Sequence, residues 1–157
     1  FEWAASPIVY METEYAGQFR NVMNTYFSTK KSLYHYISMA EGNYREFLRG
    51  VNVKAKKYFY VMRPVLACRW ILEKGTPPPM RFTELMAAEL PRNLHTEMEH
   101  LLELKMNAPE IKEIPRIDVL NEYLDTSITE IKNLLLDMND TKKMEWETLD
   151  QMFLEAL

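Results

Sequence analysis

The most informative stretch of the chain is Lys56-Lys57-Tyr58-Phe59-Tyr60-Val61-Met62-Arg63-Pro64-Val65-Leu66-Ala67-Cys68-Arg69-Trp70-Ile71. At about 100° per residue, one narrow stripe of this helix combines cations with aromatic rings. The members of the stripe are Lys56, Tyr60, Arg63, Ala67 and Trp70. An apolar flank beside the stripe is formed by Phe59, Met62 and Leu66. The pattern predicts an amphipathic helix, and cations mixed with rings are unusual for a face that meets only water.

The ends of this helix are predicted from local signals. Asn52 is a suitable cap for a helix over Val53–Glu73, and Gly75 stands where it should end. Pro64 lies inside the helix and removes one backbone hydrogen bond. We therefore expect a kink over the turn before Pro64, near residues 60–63.

Helical periodicity also dominates the rest of the chain, which has only four glycines. Capping residues and breakers place six further helices, of which one, Thr83–Leu90, is short. Their predicted ranges are Thr13–Phe27, Leu33–Leu48, Thr83–Leu90, Arg92–Met106, Ile117–Met138 and Trp146–Leu157. The fold class is therefore all-α, with residues 1–157 forming a single compact bundle of six or seven helices.

Composition narrows the classes of function. The chain has 157 residues, 47% of them hydrophobic, and a net charge of −4, which argues against non-specific binding of nucleic acid. Its one cysteine, Cys68, lies in an apolar run and suits a buried thiol in a reducing, cytoplasmic location. No apolar run approaches the roughly 20 residues that span a bilayer, so no membrane association is expected.

Known catalytic and metal-binding motifs are missing from the sequence. It has neither a G-x-G-x-x-G nor a G-x-x-x-x-G-K-[ST] loop, so a dinucleotide or P-loop fold is excluded. Glu97 and His100 give one Glu-x-x-His spacing, whereas a carboxylate-bridged bundle needs two. Nucleophilic catalysis needs a nucleophile held by a general base and an orienting acid, and the sequence shows no such arrangement. We predict no catalytic residue and no metal ligand within the chain.

Two polar clusters remain as candidates for binding. In the first, His35 shares a helix face with Lys31 and Ser38, and the simpler interpretation is a surface histidine resting on an aromatic ring. The second consists of Lys56, Lys57, Tyr60 and Arg63. Its simpler interpretation is that long cationic side chains cover the core and pair with surface acids. Its functional interpretation is a wall that faces phosphate, since arginine and tyrosine donate readily to phosphate oxygens.

Four segments, in order, resemble one protein family. The quoted run Lys56–Ile71 is similar to a signature of nucleotidyltransferases of the DNA polymerase beta superfamily, in the bacterial and phage group linked to RNA repair. Phe1-Glu2-Trp3 with Ser6-Pro7-Ile8-Val9-Tyr10 resembles the family segment E-W-x-x-S-P-I-V-Y. Residues 34–44 resemble its Y-H-Y-x-x-M-A helix, and Pro77-Pro78 with Phe82 and Leu85 resembles its P-P-x-x-F-x-x-L connector. The resemblance covers roughly residues 1–90.

The resemblance implies a part of a larger enzyme. Family members carry an upstream α/β domain with a Gly-Ser turn and an Asp-x-Asp pair, and this sequence contains neither. By that resemblance the chain is a C-terminal helical domain, inactive alone, whose partners are the missing catalytic domain and NTP. Mg²⁺ and NTP would be required by the intact protein. The residues implied to face the nucleotide phosphates are Lys56, Lys57, Tyr60, Arg63, His35 and Tyr36.

Two other functions stay open at this stage. Eleven methionines and an apolar flank also fit a helical module that only binds other proteins, because methionine adapts to irregular surfaces. An RNA-binding bundle is disfavoured by the negative net charge, although an RNA acceptor is compatible with the resemblance. The placement of Arg63 and His35 distinguishes the first two, since an enzyme accessory domain would present both in an open wall.

Overall fold

The computed structural model describes residues 6–107, 113–139 and 146–155. Seven α-helices and two short strands lie in these ranges, with a 3-10 turn over Arg92–Leu94 before α5. The helices are α1 Tyr15–Tyr26, α2 Thr29–Phe47, α3 Ala55–Lys74, α4 Phe82–Glu89, α5 His95–Asn107, α6 Asp118–Asp137 and α7 Glu147–Glu155. The strands are β1 Asn52–Lys54 and β2 Glu113–Pro115. The predicted fold class, a helical bundle, is confirmed.

Helix α3 is the centre of the core. Its middle turns from Val61 to Cys68 are buried except at Arg63. Helix α2 packs along it most extensively, and α4, α5 and α6 cover its other sides. Along the stripe read from the sequence, Tyr60 is exposed, and Lys56 and Arg63 are half-buried. Ala67 is fully buried and Trp70 half-buried, because helices pack around the second half.

The C-terminal end of α3 agrees with the end predicted from sequence, and the N-terminal end does not. Gly75 follows the helix with a φ of 65°, the left-handed conformation that glycine adopts without strain. The predicted start at Val53 is wrong, because residues 52–54 form β1, which pairs antiparallel with β2 so that Val53 faces Ile114. This pairing joins segments about 60 residues apart, so local periodicity gave no signal of it. The kink expected at Pro64 stays a prediction.

The remaining boundaries differ from the predicted ones by a few residues, except in two places. Helix α2 begins at Thr29, not Leu33, because the Ser28 hydroxyl accepts a hydrogen bond from the Lys31 backbone and caps the helix. The predicted helix over Arg92–Met106 is divided into the 3-10 turn and α5. The end predicted for the last helix at Leu157 lies outside the described residues.

A buried hydrogen-bond network joins α2, α3 and α6. The Tyr58 hydroxyl donates to Asn121 Oδ1 (2.7 Å) and accepts from the Ile117 backbone (2.8 Å). Asn121 in turn donates to the carbonyl oxygen of Leu48, just after α2 (2.7 Å). Burial raises the pKa of Tyr58, and the bond to Ile117 only partly offsets this rise. The neutral hydroxyl can therefore donate and accept at once.

Cys68 is fully buried in α3, as predicted, with its thiol 3.8 Å from the Leu33 carbonyl oxygen. Burial raises the pKa of the thiol to about 12. The thiolate form is disfavoured there, so Cys68 is a core residue and not a nucleophile.

Within the described ranges, none of the helices combines the length and apolar character that a bilayer crossing requires.

Replacement of Tyr58 by phenylalanine tests the network. Two buried groups, the Ile117 N–H and Asn121 Oδ1, would lose their partner, so we expect the free energy of unfolding to fall by about 2 kcal/mol. The matched control is Tyr60→Phe, two residues along the same helix, where the side chain is 52% exposed. Urea denaturation of both variants measures the difference, and equal stabilities would contradict the role given to the Tyr58 hydroxyl.

Cys68 makes stability depend on pH in alkaline solution. The unfolded thiol ionises near pH 9 whereas the folded one stays protonated to about pH 12. The unfolded state thus binds fewer protons between these values, and stability falls by about 1.4 kcal/mol per pH unit from this group. In Cys68→Ala the fall should be shallower by that amount. Parallel curves for the two proteins over pH 9–11, measured by urea denaturation, would show that the thiol ionises equally in both states.

Candidate functional site

The second polar cluster predicted from sequence lies on the first half of α3. We call it the cationic wall, and its residues are Lys56, Lys57, Tyr60 and Arg63. The ammonium group of Lys57 lies 3.4 Å from the centre of the Phe47 ring and 4.6 Å from that of Tyr60. Such cation–π contacts fix the position of a flexible side chain without neutralising its charge. The Tyr60 side chain is about half-exposed. Lys57 is therefore a positioned cation at the surface of the bundle.

The other four predicted residues lie on α2 and α3. Lys56 and Arg63 are half-buried, and each has an interaction partner, as does Tyr36. His35 is exposed and meets the Tyr36 ring edge-on at 5.3 Å. Since His35 is open to solvent, it is not sealed in an internal pair. Three cavities of the described structure are lined by other residues, so the phosphate-facing role of the six stays a prediction.

The segment before α1 forms an exposed apolar surface. The family motif residues Phe1-Glu2-Trp3 lie outside the described residues, but Ile8, Val9 and Tyr10 of the same motif are described and exposed. They line a cavity of about 420 Å³ together with Phe19 of α1. Helix α1 has no buried residue, so this surface is not part of the core.

A second polar site, which the sequence did not reveal, is centred on Arg69. We define the Arg69 cleft as the cavity of about 340 Å³ between α3, the 3-10 turn and α6. One guanidinium nitrogen of Arg69 donates to the Ser127 hydroxyl (2.8 Å) and to Glu130 (3.2 Å). The guanidinium carbon lies 5.4 Å from the centre of the Tyr123 ring. A cavity of about 460 Å³ on the other side of Arg69 is lined by Glu89.

Three buried polar atoms around Arg69 have no hydrogen-bond partner among the described residues. They are Nε of Arg69, Oε1 of Glu89 and the hydroxyl oxygen of Tyr123. Such atoms are rare in folded proteins, and each costs roughly 1–3 kcal/mol. Their convergence on one arginine marks this region as different from the well-paired Tyr58 network.

Burial also raises the pKa values of Tyr123 and Glu89, two groups beside Arg69. It raises the pKa of Tyr123, an effect that Arg69 and Ser127 partly offset, although neither meets the hydroxyl in hydrogen-bond geometry. The pKa of Glu89 is raised by burial and by the nearby carboxylate of Glu73, against the opposing effects of Lys74 and Arg69. The site is therefore polar but poorly solvated.

The Arg69 cleft and the cationic wall lie on different faces of α3. Arg63 and Arg69 are six residues apart, a rotation of about 240° on an α-helix. A signal for the cleft was present in the sequence, because Arg69 is a cation within the apolar run Val65–Ile71 and must have partners there. Those partners come from α6, nearly 60 residues away, and no local pattern identifies them.

Side chains that could bind a metal ion are not grouped together in the described structure. Over residues 6–107, 113–139 and 146–155, no three His, Cys, Asp or Glu side chains are grouped so that they could hold an ion.

Comparison with known proteins identifies relatives of the chain. The family model described as "RNA repair pathway DNA polymerase beta family" matches residues 1–155. The uncharacterized protein YcgL of Bacillus subtilis (strain 168) is 41% identical over 158 residues, which cover 99% of this chain and 61% of that protein. The chain thus spans less than two thirds of this relative. No solved structure matches.

Replacement of Tyr123 by phenylalanine should not lower the free energy of unfolding, in contrast to the Tyr58 substitution. The Tyr123 hydroxyl is buried with no hydrogen-bond partner among the residues that the structure describes. Removing it relieves a desolvation penalty, so stability should stay equal or rise by up to about 1 kcal/mol. Thermal unfolding monitored by circular dichroism measures the change. A loss of more than about 1 kcal/mol would mean that the hydroxyl has a partner in solution.

Proposed function

Because the chain belongs to the RNA repair pathway DNA polymerase beta family, we propose that it is the helical part of a nucleotidyltransferase. The intact protein would transfer a nucleoside monophosphate from an NTP to an acceptor. The family match over nearly the whole chain is the observation that carries this proposal. The order of the motifs in residues 1–90, noted from sequence, agrees with it.

The chain's own contribution would be made by the cationic wall. Lys57 is held between two rings, so its charge has a defined position before any ligand arrives. Arg63 and Lys56 are on the same stripe of α3, and the Tyr60 hydroxyl is a further possible donor. Preorganised cations and donors stabilise the charge that develops on a leaving pyrophosphate. His35 and Tyr36 would border the same space from α2.

Catalysis would need groups that this sequence does not contain. It has no Gly-Ser turn and no Asp-x-Asp pair, so we place the carboxylates that bind Mg²⁺ in another domain. When bound there, Mg²⁺ would neutralise phosphate charge. The chain spans 61% of the Bacillus relative, which leaves that relative room for such a domain. A cytoplasmic location, with an RNA acceptor, accords with the buried free thiol and the family description.

A second function, contact with another protein surface, is favoured by the apolar segment before α1. Tyr10 is 97% and Met11 83% exposed, and Ile8 and Val9 lie beside them. Contiguous exposed apolar residues of this kind usually mark a contact surface. In the enzyme proposed here, that contact would be with the catalytic domain. In a pure interaction module it would be with a separate protein.

Arg63→Ala tests the enzymatic proposal in the full gene product that contains this chain. We expect kcat/KM for NTP with Mg²⁺ to fall at least about tenfold, roughly 1.4 kcal/mol of transition-state stabilisation, with helicity nearly unchanged. The control is Arg49→Ala, which removes an exposed arginine after α2. Transfer of radiolabel from α-³²P NTPs gives the rates. The chain alone should show no transfer.

Two results would contradict this proposal. One is an intact protein that neither binds nor turns over any NTP. The other is an Arg63→Ala protein whose activity falls only in proportion to lost helicity, which would make the arginine purely structural.

A further inference from the structure

The Arg69 cleft presents a donor and an acceptor side by side at its mouth. The Arg69 guanidinium and the Glu130 carboxylate are 3.2 Å apart, with their side chains 33% and 56% exposed. Ser127 holds the same guanidinium nitrogen from the buried side. The pair is therefore fixed from within, yet partly open to a ligand. A donor beside an acceptor at this spacing matches the polar edge of a nucleobase.

The walls of the cleft suit a flat, apolar ring. Apolar surface comes from Pro91, Leu94 and Val119, and Tyr123 contributes an aromatic ring. Unpaired bases bind proteins by stacking on aromatic rings or on arginine planes. The volume of about 340 Å³ is at the low end for ligand sites, which suffices for one base and not for several.

The charge of the lining disfavours phosphate as the bound group. Among the described residues that line the cleft, Arg69 is the one cation, whereas Glu122 and Glu130 supply two carboxylates. Arg69 is moreover already paired with Glu130. The cleft therefore suits an uncharged ligand that offers N–H donors to the carboxylates and an acceptor to the guanidinium.

We propose that the Arg69 cleft binds a guanine base, with Arg69 Nη1 facing O6 and Glu130 facing N1–H and the 2-amino group. The other terminal nitrogen of Arg69 already donates to Ser127 and Glu130, which leaves Nη1 for the ligand. Every base offers one donor beside one acceptor, but among the four RNA bases guanine alone places a second donor, the 2-amino group, beside N1–H, so that it meets both carboxylate oxygens of Glu130. The site goes beyond the function proposed above and does not depend on it, since it lies on another face of α3.

Binding of nucleosides to the chain itself tests the proposal atom by atom. Inosine lacks the 2-amino group and so removes one of the three hydrogen bonds, whereas 7-deazaguanosine, which lacks only N7, keeps all three. We expect guanosine to bind about tenfold more tightly than inosine, more tightly than adenosine, and as tightly as 7-deazaguanosine, in titration calorimetry. Equal affinities for guanosine and inosine, or no binding of guanosine to the folded chain, would overturn the proposal.

Two isosteric variants identify the residue responsible. Glu130→Gln keeps the size of the side chain but removes the carboxylate, so the preference for guanosine over inosine should vanish. Glu41→Gln is the matched control, since it also removes an exposed ion pair with α6, that of Glu41 and Lys132, away from the cleft. A Glu130→Gln protein that keeps its preference would contradict the assignment of the 2-amino group to Glu130.

Two probes distinguish a free guanine nucleotide from a guanine at the end of an RNA chain. GMP and a five-nucleotide single-stranded RNA with a terminal guanosine carry the same base, free or within a chain. Binding of the RNA, and its loss when the terminal base is changed to cytidine, would identify an RNA end as the ligand. Binding of GMP alone would identify a free nucleotide, and both results support the guanine site. These measurements need no NTP turnover, so they stand apart from the test of nucleotidyl transfer.

Discussion

The buried hydroxyl of Tyr58 joins the central helix to its two longest neighbours. It bonds directly to Ile117 and Asn121 at the start of α6, and Asn121 extends the connection to Leu48 after α2. Apolar packing alone tolerates small sliding of helices, whereas these bonds fix the rotation and height of α3. Both polar faces of α3 depend on that rotation. A turned helix would remove Lys57 from the Phe47 ring of α2 and Arg69 from α6.

The two faces have different chemistry. The cationic wall carries a lysine positioned by aromatic rings and is open to solvent, which suits a charged ligand. In the Arg69 cleft the cation is already paired, and buried polar atoms have no hydrogen-bond partner among the described residues. The two faces lie about 120° apart around α3, so one helix presents two chemically different surfaces.

The sequence predicts much of this structure because the signals are local. The position of α6, the glycine that ends α3 and the burial of Cys68 each follow from residues within a few turns. The pairing of Val53 with Ile114 and of Arg69 with Ser127 does not, since these contacts join distant segments. The cationic wall could be predicted because its residues are close together in the sequence. The Arg69 cleft could not, because residues from three separate elements form it.

Native-state hydrogen exchange would test the central claim, that the bundle is built around α3, most directly. We expect the amides of α3 and of Ile117 to exchange only through global unfolding, with one common free energy. The amides of α1, which has no buried residue, should exchange by local opening at a much lower free energy. Protection of α1 equal to that of α3, or local opening at residues 58–68, would contradict the account.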